Sequence, residues 1–262
     1  MKRFKAVLLC LGLLCAASVA RAQQSHLYAV IDYMHIPEGK SDQDYIAVEK
    51  LWQRIHQKAA DAGISRAWYL ERVENGGRND FVTIRVYDSL NKMADPWPDS
   101  LTKGLFTAQE ETQMNQTGNV RYLTHSELWE IEASVLKKLE GDPRGLAVIN
   151  FMKPKPGKTD TYFDMEKNLF AKVHKARLDA GLMDGWYFLS RTFPHGYDAE
   201  YDFITVDLYP DKATWEKSWD GKLIEKSLSK EEIAKASNPE ELRTIVRQEI
   251  WNPVLRAVPS TK

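Results

Sequence analysis

The strongest constraint on this chain is that much of it occurs twice. Residues 42–69, DQDYIAVEKLWQRIHQKAADAGISRAWY, return at 160–187 as DTYFDMEKNLFAKVHKARLDAGLMDGWY. Asp42, Leu51, His56, Asp61, Ala62, Gly63, Trp68 and Tyr69 recur as Asp160, Leu169, His174, Asp179, Ala180, Gly181, Trp186 and Tyr187, each 118 positions on. An internal repeat of this size restricts the fold before any single residue is considered. Val48, Trp52, Ile55, Ala59 and Ala62 follow helical spacing, which predicts a helix with one apolar face. Gly63 and Gly181 end the two helices, where a left-handed residue costs least.

The rest of the chain follows the same order twice. Residues 27–36, LYAVIDYMHI, read as a strand of aromatic and β-branched character. Pro37 to Lys40 break it, and Ser41 or Asp42 caps the helix. Strands follow over 66–73 and 80–87, joined by the Asn75-Gly76-Gly77 turn. A second helical region starts at Leu90, is interrupted by Pro96 and Pro98 and resumes near Leu105. A fourth strand is predicted over 121–131. The second copy matches at 118 through its second strand and at 122 afterwards. Trp97 then pairs with Trp219, Glu127 with Glu249, and Trp129 with Trp251. The segment 227–242 before the last strand is charged and reads as solvated. Each copy has the order βαββαβ, the ferredoxin-like plan. One such unit covers only one face of its sheet, so the other face needs a partner. Two tandem units within one chain supply it. The expected fold is therefore α+β: an intramolecular pseudo-dimeric α/β barrel with helices outside. Its predicted parts are a leader at 1–22, repeats at 23–139 and 146–262, and a hinge at 140–145.

The leader expectation rests on a basic start (Lys2, Arg3, Lys5), an apolar run from Val7 to Ala17 and an Ala20-Arg21-Ala22 cleavage site. The run is too short to span a bilayer. Cys10 and Cys15 both lie within it and each follows Leu, not the small residue expected before a lipid-modified Cys. The reading is an exported, periplasmic or secreted protein without membrane insertion after cleavage. Cleavage would leave no Cys, excluding disulfides, thiolate metal sites and cysteine nucleophiles. It would also leave 32 basic against 37 acidic residues, a net charge near −5. That balance argues against a nucleic-acid partner. No phosphate-binding glycine loop, zinc motif or nucleophile elbow is present.

The candidate site residues follow from the repeat. Among six His, only His56 and His174 occupy matching places, so they are the candidate acid–base groups or ligands. The plainer reading makes each a helix-border His bonded to a neighbouring carbonyl or carboxylate. Asp32 and Asn150 match each other inside apolar strands, where a polar group needs a partner or a task. Trp52, Trp68, Trp186, Tyr87 and Tyr209 complete a candidate aromatic ligand site, with ordinary core as the plainer role. Arg85 and Asp207 stand at equivalent places with opposite charge, so pairing across a pseudo-two-fold axis is expected. Glu127 and Glu249 are candidate site carboxylates, with solvated strand-end acids the preferred reading, and His195 is a candidate lid residue, with a mobile-turn His the default.

Several of these stretches resemble a known superfamily. The runs VTIRVYDS (82–89) and ITVDLYPD (204–211), with Trp215 and Trp219 after the latter, are similar to strand 3 and helix 2 of dimeric α/β-barrel proteins. That superfamily includes antibiotic-biosynthesis-type monooxygenases, haem-degrading oxygenases, the EthD and NIPSNAP groups and two-repeat chlorite dismutases. YMHIPEGK (33–40), IHQKAADAG (55–63) and the aromatic pair after it resemble a group of exported bacterial proteins. The resemblance implies a small molecule held between sheet and helices. Haem-degrading members use an Asn on strand 1, a Trp at the end of strand 3 and a His on helix 2. Asn150 matches the first, Tyr87 and Tyr209 replace the second, and neither second helical region has a His. No cofactor is therefore predicted, with haem the disfavoured alternative. Three functions follow: binding of a small apolar or aromatic molecule; a cofactor-independent monooxygenase or isomerase with His56 or His174 as base and Asp32 or Asn150 positioning substrate; or a solid structural barrel.

Overall fold

The computed structural model describes residues 26–75, 79–137, 145–196, 198–219 and 221–260. The predicted leader, the tip of the Asn75-Gly76-Gly77 turn and all of the predicted hinge but Gly145 lie outside these residues. The chain is α+β. Eight antiparallel strands close into one barrel in the order β1-β3-β2-β8-β5-β7-β6-β4. They are β1 (Leu27–His35), β2 (Ala67–Asn75), β3 (Phe81–Tyr87), β4 (Tyr122–Leu136), β5 (Leu146–Pro154), β6 (Gly185–Phe193), β7 (Phe203–Tyr209) and β8 (Arg243–Ala257). The strands of each half are contiguous, in the order 4-1-3-2 and its equivalent 8-5-7-6. The halves join where β2 pairs with β8 and β4 pairs with β6, so the barrel has no open edge.

The alternation of β1 and β5 explains the barrel. Ala29, Ile31 and Tyr33 of β1 and Ala147, Ile149 and Phe151 of β5 meet inside it, with Trp129 and Trp251. The intervening residues face the outer helices. Both faces are thus covered, and β5 is buried over most of its length. That is why these strands are apolar runs and not simple polar–apolar alternations.

The long helices lie outside. In the first half α1 (Asp42–Asp61) starts on a Ser41 cap, whose hydroxyl accepts from Asp44 N–H while the Asp44 carboxylate accepts from Ser41 N–H. Gln53 and Gln57 donate to the carbonyls of Arg256 and Val258, at 2.6 and 2.7 Å, fixing α1 to the end of β8. Beyond β3 come α2 (Leu90–Ala94) and α3 (Ala108–Asn115). In the second half the long helix runs as α4 (Thr159–Asp164), a π-helical turn (Met165–Phe170) and α5 (Ala171–Asp179). Beyond β7 come α6 (Lys212–Glu216), α7 (Gly221–Ser227) and α8 (Lys230–Ala236). The stretch expected as a solvated 227–242 segment thus contains a capped helix.

The π turn corrects the alignment of the repeat. Gly39 and Gly157, both at positive φ, are 118 apart, as are Gly63 and Gly181. Between them the spacing drops to 117. Tyr45 meets Phe81 edge-on as Tyr162 meets Phe203, and Glu49 is buried like Glu166. Asp42 and Asp160 are therefore not equivalent. The second helix starts one residue early, and the wider π turn takes up the extra residue before His174.

Candidate functional site

The candidate residues of each half come together on the helix-facing side of the sheet. His56, Asp32 and Arg85 lie there in the first half, and His174, Asn150 and Asp207 in the second, in pairings that differ from expectation. α1 lays His56 flat on Trp68, with ring centres 4.8 Å apart, and Trp97 meets the imidazole edge-on at 5.1 Å. α5 does the same with His174 on Trp186, at 4.7 Å, with Trp219 edge-on at 6.2 Å. His56 and His174 are 8% and 4% exposed. Neither sits at a wet helix border. Trp68 and Trp186 are fully buried and belong to the core, whereas Trp52 is half-buried and donates to Thr117 Oγ1 at 3.2 Å.

The polar partners of the two imidazoles differ. In the second half Arg177, one turn after His174 on the same helix face, is 1% exposed. Its Nη1 donates to His174 Nδ1 at 2.8 Å, its Nη2 to the Tyr209 hydroxyl at 2.7 Å and its Nε to the Ser218 carbonyl at 3.0 Å. The guanidinium is planar over Trp219, 4.1 Å from the ring centre, and 3.6 Å from Asp207. Asn150 donates to Asp207 and to Thr205, both at 3.0 Å, and accepts from Gln248 at 2.6 Å. Every nitrogen of the guanidinium is used, while Asp207 Oδ1 stays without a hydrogen bond, 3.6 Å from Arg177. An arginine is always charged, so the Nδ1 lone pair of His174 is used as an acceptor.

In the first half the position of Arg177 is taken by Ala59. The cation is instead Arg85, on β3, where the second half has Asp207. Arg85 Nη2 donates to Asp32 at 2.8 Å, and Ser126 donates to the other Asp32 oxygen at 2.5 Å. Burial raises the Tyr87 phenol, and the nearby Arg85 charge opposes the rise. The Arg85 side chain is 33% exposed. His56 Nδ1 is buried and has no hydrogen-bond partner. The expected pairing of Arg85 with Asp207 does not occur. Each faces its own helix and finds a partner within its own half, because both side chains point away from the barrel interior where the halves meet.

Burial sets the protonation states. His56 is pushed down to about 3 by burial and then by the nearby Arg85 charge, so it is neutral at pH 7. His174 is lowered well below its ordinary value by burial and by Arg177. Burial raises Asp207 to about 6 against the pull of Arg177 and Asn150. Burial raises Glu166 to about 8 against the opposing pull of Tyr162 and the Arg243 charge. Its counterpart Glu49 is also raised by burial, but Arg121 opposes this from 2.8 Å.

A third cluster escaped sequence reasoning. Glu127 and Glu249 are not solvated. Both are buried inside the barrel. Glu127 accepts from Tyr33 at 3.0 Å, Tyr201 at 2.7 Å and Arg191 at 3.2 Å. Glu249 accepts from Trp251 at 2.8 Å, beside Arg247. The strand period could have indicated this, since Glu127 and Trp129 are two apart and share a face. Arg177 also had a signal: it follows Phe170, Val173 and His174 on one helical face. Among the described residues no group of three His, Cys, Asp or Glu side chains is placed to hold a metal, and no helix is long and apolar enough to cross a membrane. An open surface groove of about 530 Å³ runs along Lys167, Ala171, Lys172 and Lys175 and does not include His174 in its lining.

No protein-family model matches the chain, and no curated protein matches its sequence. Solved structures do match its fold. A protein from Fusobacterium nucleatum, provisionally described as a monooxygenase, is 11% identical with a TM-score of 0.54, covering 91% of this chain and 96% of its own. A protein provisionally described as a chlorite dismutase is 14% identical with a TM-score of 0.52, covering 88% and 95%. A haem-binding protein from Thermus thermophilus is 8% identical with a TM-score of 0.50, covering 87% and 91%. At these identities the likeness is one of fold: this chain shares the α/β-barrel architecture of those proteins.

Proposed function

We propose that this chain is an exported tandem α/β-barrel protein that binds a small molecule between sheet and helices in its first half. On this reading residues 23–139 and 146–262 are duplicated ferredoxin-like units, and only the first keeps an open site. The observation that carries the reading is the contrast at the imidazole. His174 Nδ1 is satisfied by Arg177, whereas His56 Nδ1 is buried without a partner. A buried polar atom left unpaired costs about 1–3 kcal/mol, a cost that a ligand would relieve. The partly exposed Arg85 and the half-buried Trp52 and Trp97 stand by the same imidazole or its helix.

Binding fits better than proton transfer. A group with a pKa near 3 is a weak acceptor of protons at neutral pH. Haem fits poorly as the ligand. An axial imidazole needs an open lone pair beside a flat slot, yet both rings lie against indoles, His174 is engaged by Arg177, and a cationic iron near His56 would face Arg85.

The test is native mass spectrometry of the protein purified from the cells that make it, beside a His56→Gln variant. Added mass on the unaltered chain that is lost in the variant is the expected result. Added mass that survives the substitution would place the ligand elsewhere and sink this assignment.

A further inference from the structure

The second half displays what the space beside its imidazole accepts. It accepts a planar, Y-shaped charged group. The guanidinium of Arg177 is held there by His174 and Tyr209 and lies over Trp219, with the Asp207 carboxylate 3.6 Å away. The first half keeps the imidazole and both indoles in matching contacts, but Ala59, packed in a cluster with Leu101, Trp52 and Trp97, supplies no such group.

The sign of the neighbouring charge is also reversed. Where β7 carries Asp207, β3 carries Arg85. A planar cation suits a carboxylate floor, so a planar anion suits a guanidinium floor. The free valences agree. Both Asp32 oxygens already accept hydrogen bonds, from Arg85 and Ser126, so they offer little to a donor. Arg85 has five N–H groups and is partly open to solvent, and neutral His56 can carry its proton on the unpartnered Nδ1. The other charges close by, Arg121 and Glu49, neutralise each other at 2.8 Å.

We propose, resting on the first-half binding site argued above, that its ligand is a small planar carboxylate. The carboxylate accepts from Arg85 and from His56 Nδ1–H, as Arg–carboxylate forks do elsewhere. Its flat body lies along the indoles of Trp52 and Trp97. Arg177 is then a built-in occupant of opposite charge that keeps the second site permanently filled.

Benzoate, benzamide and benzamidine separate the possibilities because they share a ring and differ in the planar head. Each is titrated into the full chain while the His56 imidazole resonances are followed by NMR, assigned by their loss in His56→Gln. Benzoate is expected to shift them with an affinity at least about tenfold above benzamide, and benzamidine to leave them unchanged. Arg85→Gln should lower benzoate affinity by about tenfold or more. Should that variant fold poorly by circular dichroism, Arg85→Lys keeps the partner of Asp32 and removes the fork, with a smaller loss expected. Equal binding of benzamide and benzoate, or benzoate binding indifferent to both Arg85 variants, overturns the carboxylate and leaves the site standing. No response of His56 to any of the three probes overturns the carboxylate and the site together.

Discussion

The two halves of the barrel hold the same imidazole-on-indole stack and surround it differently. In the second half one helix arginine bonds to the His, the Tyr and a backbone carbonyl beside the Asp, and it is buried beneath the exposed Trp219. In the first half the arginine comes from the strand, stays partly wet and leaves Nδ1 of His56 without a partner. The stack is therefore a structural device shared by both copies. What differs is the group placed against its edge. On the proposed reading, a tandem chain freezes one copy into support while the other binds, which a dimer of identical chains cannot do.

The largest test of this contrast is to remove each cation. Arg177→Ala strands Asp207, His174 and Tyr209 in a buried pocket and should cost about 3–5 kcal/mol in urea unfolding. Arg85→Ala removes a partly solvated partner and should cost about 1 kcal/mol. Equal losses would mean that the halves are not specialised.

A second test uses pH. Glu166 holds its proton to about pH 8 in the fold but only to about 4.5 when unfolded. The native state thus binds more protons between these values, so its contribution to stability falls as pH rises through them. Asp207 adds the same sign between 3.8 and about 6. Glu166→Gln should be near neutral at pH 4 and stabilising by on the order of 3 kcal/mol at pH 8. A difference between variant and parent that does not change over that range would show that Glu166 ionises normally.

The smallest expected effect sharpens the boundary of the open site. Thr117→Val removes the acceptor of the Trp52 indole and should cost about 1 kcal/mol by thermal unfolding. If Trp52 turns toward a ligand, the same change should also alter benzoate affinity, whereas a purely structural indole would leave it unchanged.

Much of this was readable in the chain. Identity at a fixed spacing links His56 to His174 and Trp68 to Trp186, because residues in the same local surroundings resist drift together. The βαββαβ order and the two-faced burial of β1 and β5 follow from apolar runs bounded by Gly and Pro. The one-residue slip did not follow, since a π turn leaves the residue types around it unchanged and shows only in backbone hydrogen bonding. Nor did the burial of Glu127 and Glu249, because an acid at a strand end is solvated or enclosed according to what closes over it.

By itself, the sequence determined an α+β pattern and the residues that share a helix-facing surface, since both depend on local period. Only the tertiary structure decided which charges pair. Asp32 meets Arg85 and Asp207 meets Arg177 through contacts 53 and 30 positions apart along the chain. Pairing between elements depends on which way each side chain leaves its strand or helix and how far it reaches. That geometry exists once the barrel has closed, and it leaves His56 Nδ1 without a partner and His174 Nδ1 paired with Arg177.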